Sequence, residues 1–276
     1  EETRGWQAAL VGLALSAIIG GVLATFGFAL AFAAGAVAHI ICLVLAWFFA
    51  EPVHETVPPE IAGLAGQWGN LKHAMASPVL VWLFLLSVLM YGFSHIPFVF
   101  GQPFIAQAME GVVWPVEAPV VSGGVSAIMM IVSAFASIVA FRLRKRIGLT
   151  AILLLAFAIQ IGIIATLAAT NSALAIAVLF LRMVPNSFAR PFIVARIQPL
   201  LGDAGRATYL SLQSFAGRLL FAGSLLIVSA RVTQGSVLAY ADIRLTLAAY
   251  AGVGLGFFCL LVVLAGWARV GGEPKG

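Results

Sequence analysis

The stretch PVVSGGVSAIMMIVSAFASIVAF (119–141), RLRKRIG (142–148) and LTAILLLAFAIQIGIIATLAA (149–169) decides the fold. Each flank is long and apolar enough for a helix that crosses hydrocarbon, which takes about 20 such residues. The cations between them, Arg142, Arg144, Lys145 and Arg146, are costly to place in lipid and belong at its surface. The stretch therefore reads as two spanning helices that turn on a basic loop.

The same pattern extends outward. Six further apolar segments of spanning length lie at 6–26, 30–50, 78–102, 173–198, 207–230 and 245–268. Continuous apolar runs of this length lack the ten-residue alternation of a membrane barrel, so the expected fold is all-α, a polytopic membrane protein with eight transmembrane helices. Composition agrees. The chain of 276 residues is 62% hydrophobic and 9% charged, with mean hydropathy +1.09, whereas soluble domains are about 45–50% apolar and about 25% charged. Pairs such as Gly20-Gly21 and the Gly252–Gly256 stretch fit close helix packing in lipid. Prolines 97, 185 and 191 are expected to kink their helices and free backbone groups.

The basic residues set an expected orientation. With a cytoplasmic N-terminus, inner ends and loops hold Arg4, Lys72, Arg142, Arg144, Lys145, Arg146, Arg196, Arg206, Arg269 and Lys275, and outer loops hold Arg231 and Arg244. This asymmetry places both termini in the cytoplasm. The net charge of +5 thus reports topology and gives no support to nucleic-acid binding. Between the second and third segments runs a long linker, 51–77, with Pro58-Pro59 and with Ile61, Leu64, Ala65, Trp68 and Leu71 at helical spacing. It reads as an interfacial amphipathic helix or a solvated linker. The outer loop 107–119 carries Glu110, Trp114, Pro115 and Glu117, with the tryptophan as an interface anchor. Cys42 and Cys259 read as small buried hydrophobes. The chain opens on Glu1-Glu2, and it is expected to be a piece of a longer polytopic protein.

Several stretches carry a family resemblance: Leu45-Ala46-Trp47-Phe48-Phe49-Ala50-Glu51-Pro52 at the end of the second segment, Phe100-Gly101-Gln102-Pro103-Phe104 in the third, Phe141–Gly148 at the basic turn, and Arg206–Ser214 followed by Arg218-Leu219. In order and spacing they resemble the major facilitator superfamily of secondary transporters, bacterial efflux-like members in particular. The basic turn lacks the Gly and Asp of the superfamily's fuller motif, and Gln198 stands where many relatives carry Asn. The resemblance implies a twelve-helix protein of two bundles, of which this chain lacks the first four helices. Residues 1–50 would be the last two helices of the N-terminal bundle, 51–77 the cytoplasmic linker, 78–268 the six-helix C-terminal bundle and 269–276 a cytoplasmic tail. It also implies a bacterial inner (plasma) membrane location.

Three arginines, Arg182, Arg190 and Arg218, lie inside apolar segments, and no Asp or Glu does. An intramembrane charge is a functional-site hypothesis by default. Counted from Ala173, Arg182 is roughly 13 Å into a layer about 30 Å thick. Asn186 shares its face and Pro185 is beside it. The resemblance implies that this helix lines a central cavity. Arg182 is then expected to bind an anionic substrate group or to pair with a carboxylate from the missing half; the alternative is bonding to carbonyls freed by the proline. In the third segment Ser87, Tyr91, His95 and Gln102 fall close to one helical face, with His95 a proton-handling or substrate-contact residue or else a packing histidine. Ser211, Ser214 and Arg218 form a further polar stripe. Met129 and Met130, near Ser126 and Ser133, read as core or as an adaptable cavity wall. Arg190 and Arg196 lie toward the cytoplasm, as gate or snorkelling residues. Arg206 and the Arg142–Arg146 turn are assigned to gating or topology.

His39, His54, His73 and His95 share no metal-ligand spacing, and no Gly-Lys-Ser/Thr phosphate loop is present. No enzyme constellation appears and no cofactor is expected. The expected function is secondary active transport of a small-molecule substrate across the lipid bilayer by alternating access, with proton (H+) coupling and efflux as its finer form. The alternative is a non-transporting sensor or scaffold on the same fold.

Overall fold

The computed structural model describes residues 2–49, 64–108, 118–170, 172–229 and 240–271. Its helices are α1 (Glu2–Thr25), α2 (Phe28–Trp47), α3 (Leu64–Ala76), α4 (Pro78–Ala108), α5 (Ala118–Ala169), α6 (Ala173–Leu179), α7 (Val184–Ile197), α8 (Asp203–Ser229) and α9 (Tyr240–Ala268). A 3₁₀ turn, Gln198–Leu200, follows α7. Among the described residues seven stretches are long and apolar enough to cross a membrane. One of them, Pro119–Ala169, contains both 119–141 and 149–169, so the eight expected segments map onto these seven stretches.

The decisive stretch departs from expectation in one respect. Helix continues through Arg142 to Ile147, and the break falls on Gly148, at φ 84° and ψ 172°. Positive φ is open to glycine without the Cβ clash that penalises other residues. A straight helix of 51 residues would be about 77 Å long, more than twice the hydrocarbon thickness of about 30 Å, so a break is required. The two arms of α5 meet there.

The segment expected at 173–198 is also interrupted. Residues 180–183 form a turn between α6 and α7, with Phe180, Leu181 and Arg182 N–H groups each bonded three residues back. Pro185, at the start of α7, has no N–H to continue the ladder. Pro97 and Pro191, by contrast, sit within helices that run on.

The core is assembled mostly from the helices after Ser77, with Ala74 of α3 joining it. Trp82, Leu83, Leu86, Leu89 and Ile96 of α4 pack with Ile152, Leu153, Phe157 and Ile164 of α5, Tyr209 of α8 and Leu247 and Leu261 of α9. Between helices in lipid the hydrophobic drive is small, so packing and buried hydrogen bonds set the arrangement. Among the described residues, side chains bond to backbone carbonyls of neighbouring helices: Trp82 Nε1 to Leu261 at 2.9 Å, Tyr209 Oη to Leu80 at 2.6 Å, Gln160 Nε2 to Met90 at 3.0 Å and Gln213 Nε2 to Leu83 at 3.4 Å.

Helix α1 packs along the first arm of α5. At one end Gly21 and Gly123 abut: a Cβ on Gly21 would come 2.8 Å from the Pro119 carbonyl oxygen, and one on Gly123 would collide with the Ala17 carbonyl. Only glycine allows that approach. Helix α2 buries no residue, and Phe32 and Trp47 are 77% and 85% exposed. Such a surface suits hydrocarbon and would be insoluble in water.

One expectation changes. Cys42 and Cys259 are exposed on the chain's apolar surface, not buried. Apolar sequence in a spanning helix reports absence of water, and a lipid-facing position meets that condition as well as a core one. The linker is helical over its described residues Leu64–Ala76, with Trp68 exposed and Ala74 buried, and packs on α4 and α8. Ile61, Pro58-Pro59, the outer loop residues Glu110, Trp114, Pro115 and Glu117, and the 272–276 tail lie outside the described residues.

Candidate functional site

The interruption between α6 and α7 opens onto a cavity of about 250 Å³, lined by Ser94, His95 and Phe98 of α4, Arg182 and Met183 of the turn, and Asn186 of α7. The turn itself puts Arg182 there, because side chains leaving a 3₁₀-like turn are not held to the flanking helices' stripes. Three residues singled out by sequence, Arg182, Asn186 and His95, therefore share one cavity wall. Ser94, Phe98 and Met183 were not foreseen.

Arg182 is held at two points. Its Nε donates to the Met129 Sδ at 3.1 Å, and its guanidinium carbon lies 5.0 Å from the centroid of the Phe98 ring. Neither contact supplies a negative charge. A thioether is a weak acceptor, and the ring attracts the cation through its quadrupole. Met129, read from sequence as core or cavity wall, is buried and holds the arginine.

His95 is fixed by its own helix. Nδ1 lies 2.8 Å from the Tyr91 carbonyl oxygen, which can only accept, so Nδ1 carries a proton and Nε2 keeps the lone pair in the neutral ring. The imidazole lies between the rings of Tyr91, at 4.4 Å, and Phe221 of α8, at 5.0 Å. Tyr91 abuts Gly217, where a Cβ would fall 2.9 Å from the ring. Tyr91 thus supports His95 without lining the cavity. Ser87 contributes a buried hydroxyl with no partner among the described residues, and the Gln102 side chain lies outside them. Ser214 and Arg218 are exposed on α8 and do not line the cavity.

A hydrogen-bond chain connects the cavity to α1. Trp6 Nε1 donates to Ser187 Oγ at 3.0 Å, Ser187 and Ser133 hydroxyls meet at 2.6 Å, and Ser133 Oγ donates to the Met183 carbonyl at 2.9 Å. A hydroxyl has one proton. Ser133 uses its own on Met183, so Ser187 is the donor between the two serines, and it accepts from the indole. The direction is fixed from Trp6 to Met183. Ser133 and Ser187 are both buried, where an unpaired hydroxyl would be penalised. Gln7 Nε2 adds a bond to Ser137 Oγ at 3.0 Å. Met129, Ser133 and Ser137 stand at i, i+4 and i+8 on α5, so one helical face holds Arg182, the Met183 carbonyl and α1 in turn.

Among the described residues no other cation lines the cavity. Arg190 places its guanidinium 5.0 Å over the Trp6 ring. Arg144 of the basic stretch lies 5.0 Å over Phe192 of α7, and Lys145 4.8 Å over Phe141. Arg142 and Arg146 are exposed, and Arg206 is half-buried with its backbone N–H on Gly202. Among the described residues no group of three or more His, Cys, Asp or Glu is placed to hold a metal ion.

Apolar helices of spanning length, one interrupted at a cation beside a cavity, define a polytopic α-helical membrane protein whose irregular backbone lines a cavity rather than lipid. The family model for the Major Facilitator Superfamily matches residues 8–225, and the chain belongs to that superfamily. It is an integral membrane protein of a family of membrane transporters that bind small-molecule substrates within the membrane. No curated protein matches the chain significantly.

Proposed function

We propose that the chain performs secondary active transport of a small solute by alternating access, with the Arg182 cavity as the solute site. The observation that carries the reading is the cavity at the α6–α7 break, where Arg182, Asn186 and His95 meet at an interrupted helix. Discontinuous helices near the bilayer midplane are a recurrent way to build such sites. The finer reading places α1 and α2 as the last helices of an N-terminal bundle with four more before them, α4 to α9 as the C-terminal bundle, and both termini in the cytoplasm of a bacterial inner membrane. Support comes from the ten inner against two outer basic residues in that arrangement and from the unburied surface of α2. Efflux coupled to protons completes the proposal, with His95 or a carboxylate outside this sequence as the proton carrier.

The test uses the full-length protein with Cys42 and Cys259 replaced by serine and Ser94→Cys introduced in the cavity. A membrane-impermeant maleimide applied from each side of the membrane is expected to label Ser94→Cys from both. Labelling from one side alone, or from neither, refutes alternating access at this cavity. Arg182→Ala is expected to abolish solute flux with expression intact, and wild-type flux by that variant removes the cavity from the transport path.

A further inference from the structure

We infer that the Arg182 cavity takes a small organic anion with a flat apolar body, its carboxylate set against the guanidinium. The inference rests on the reading of this cavity as the solute site.

Charge comes first. The lining residues Ser94, His95, Phe98, Arg182, Met183 and Asn186 include a permanent cation and no carboxylate. Among the described residues the acceptor that Arg182 reaches is the neutral Met129 sulfur. A half-buried guanidinium in a low-dielectric setting gains most from an ionised acceptor. A cationic solute would meet a like charge with nothing opposite in sign among the described lining residues to offset it. The cavity therefore selects by repulsion as well as attraction.

Geometry then narrows the class. Nε is engaged by Met129, and the guanidinium lies over Phe98. Those two contacts leave the Nη groups as the fork for a ligand, the arrangement that suits a planar, bidentate carboxylate. Because the contacts are neutral, the fork is oriented without being neutralised, so a ligand loses little by ordering it. Ser94 and Asn186 supply hydrogen-bonding groups for a second polar point on the solute, while Phe98 and Met183 give apolar wall. A volume of about 250 Å³ falls below the range of about 300–1,000 Å³ typical of clefts for drug-sized ligands. A single-ring carboxylate fits this description in charge, shape and size.

The experiment uses the full-length protein in lipid nanodiscs and three probes of nearly one shape: benzoate, benzamide and benzylamine. Equilibrium binding of radiolabelled benzoate, competed with the other two, reads charge preference directly. Benzoate is expected to bind, with benzamide and benzylamine failing to compete. Arg182→Gln is expected to weaken benzoate by roughly 10- to 150-fold, the range for loss of a charge-assisted hydrogen bond. Arg182→Lys should fall between, since it keeps the charge and loses the fork. Met129→Leu should weaken binding less than Arg182→Gln, because it frees the fork without removing it.

Binding of benzylamine in place of benzoate, or benzoate binding that survives Arg182→Gln, overturns the anion assignment. Absence of any benzoate binding also overturns it. The maleimide experiment separates the two readings. If Ser94→Cys is labelled from both sides while benzoate fails to bind, the solute class is wrong and the transport site stands. If labelling also fails, the site itself is wrong.

Discussion

Ser187→Ala removes the hydroxyl through which α1 is tied to the broken helix, and its consequence can be worked bond by bond. Ser187 accepts from Trp6 Nε1 at 3.0 Å and meets Ser133 Oγ at 2.6 Å. Interhelical hydrogen bonds in membranes average about 0.6 kcal/mol and reach about 1.7 kcal/mol. Losing two of them should destabilise the protein by about 1–3 kcal/mol, the upper part arising because the Ser133 hydroxyl is buried and the indole N–H is left unpaired. Trp6→Phe removes one bond and keeps an aromatic ring for Arg190, so its cost through this chain should be about 0.6–1.5 kcal/mol. The two changes share one bond. A double-mutant cycle measured by reversible unfolding in mixed micelles should therefore return a coupling of about 0.6–1.5 kcal/mol, above the roughly 0.3–0.5 kcal/mol within which independent sites add. Additive effects would show that Trp6 and Ser187 do not communicate, and the chain from α1 to the cavity would be refuted.

Three further outcomes follow from positions described above. Gly123→Val sets a side chain against the Ala17 carbonyl and should destabilise by about 1–3 kcal/mol, as overpacking does; Gly124→Ala, which meets open space, should not, and equal unfolding midpoints for the two would refute the close glycine contact. Gly148→Ala forces an alanine to φ 84° and ψ 172°, a region essentially confined to glycine, and should cost about 1–3 kcal/mol, read from the same titration, with no loss refuting the break at that residue. Tyr209→Phe deletes the 2.6 Å bond to the Leu80 carbonyl and should cost about 1 kcal/mol or more, since it leaves the acceptor buried. An unchanged midpoint would show that this bond holds nothing.

How much of this was legible in the sequence depends on the range of the interaction. Spanning helices follow from local hydropathy, and the basic stretch after Phe141 marks a helix pair without knowledge of any contact. Arg182 and Asn186 could be grouped because they are four residues apart in one apolar segment. His95 belonged to a polar stripe on another helix, and only the fold brings that stripe to Arg182. The stripe containing Ser214 and Arg218 looked equivalent in sequence, yet it is exposed and away from the cavity, because periodicity identifies a face and not its neighbour. Trp6 and Ser187 are 181 positions apart, and nothing in the local pattern of either announces the other. A signal did exist on α5: Met129, Ser133 and Ser137 recur every four residues in an apolar helix. Reading them as one face, rather than as a methionine wall with a serine nearby, would have pointed to a partner helix.

The hydrogen-bond chain from Trp6 to Met183 has a further property, visible when it is considered as a path for protons. Hopping along hydroxyls requires that every link be able to turn around after a proton has passed. Here one terminus is an indole N–H, which donates and never accepts, and the other is a peptide carbonyl, which accepts and holds no proton to pass on. The two serines between them have no source and no sink. The chain is a strut and not a wire: it can transmit position between α1 and the cavity but cannot deliver charge, and no proton relay runs through Ser133 and Ser187.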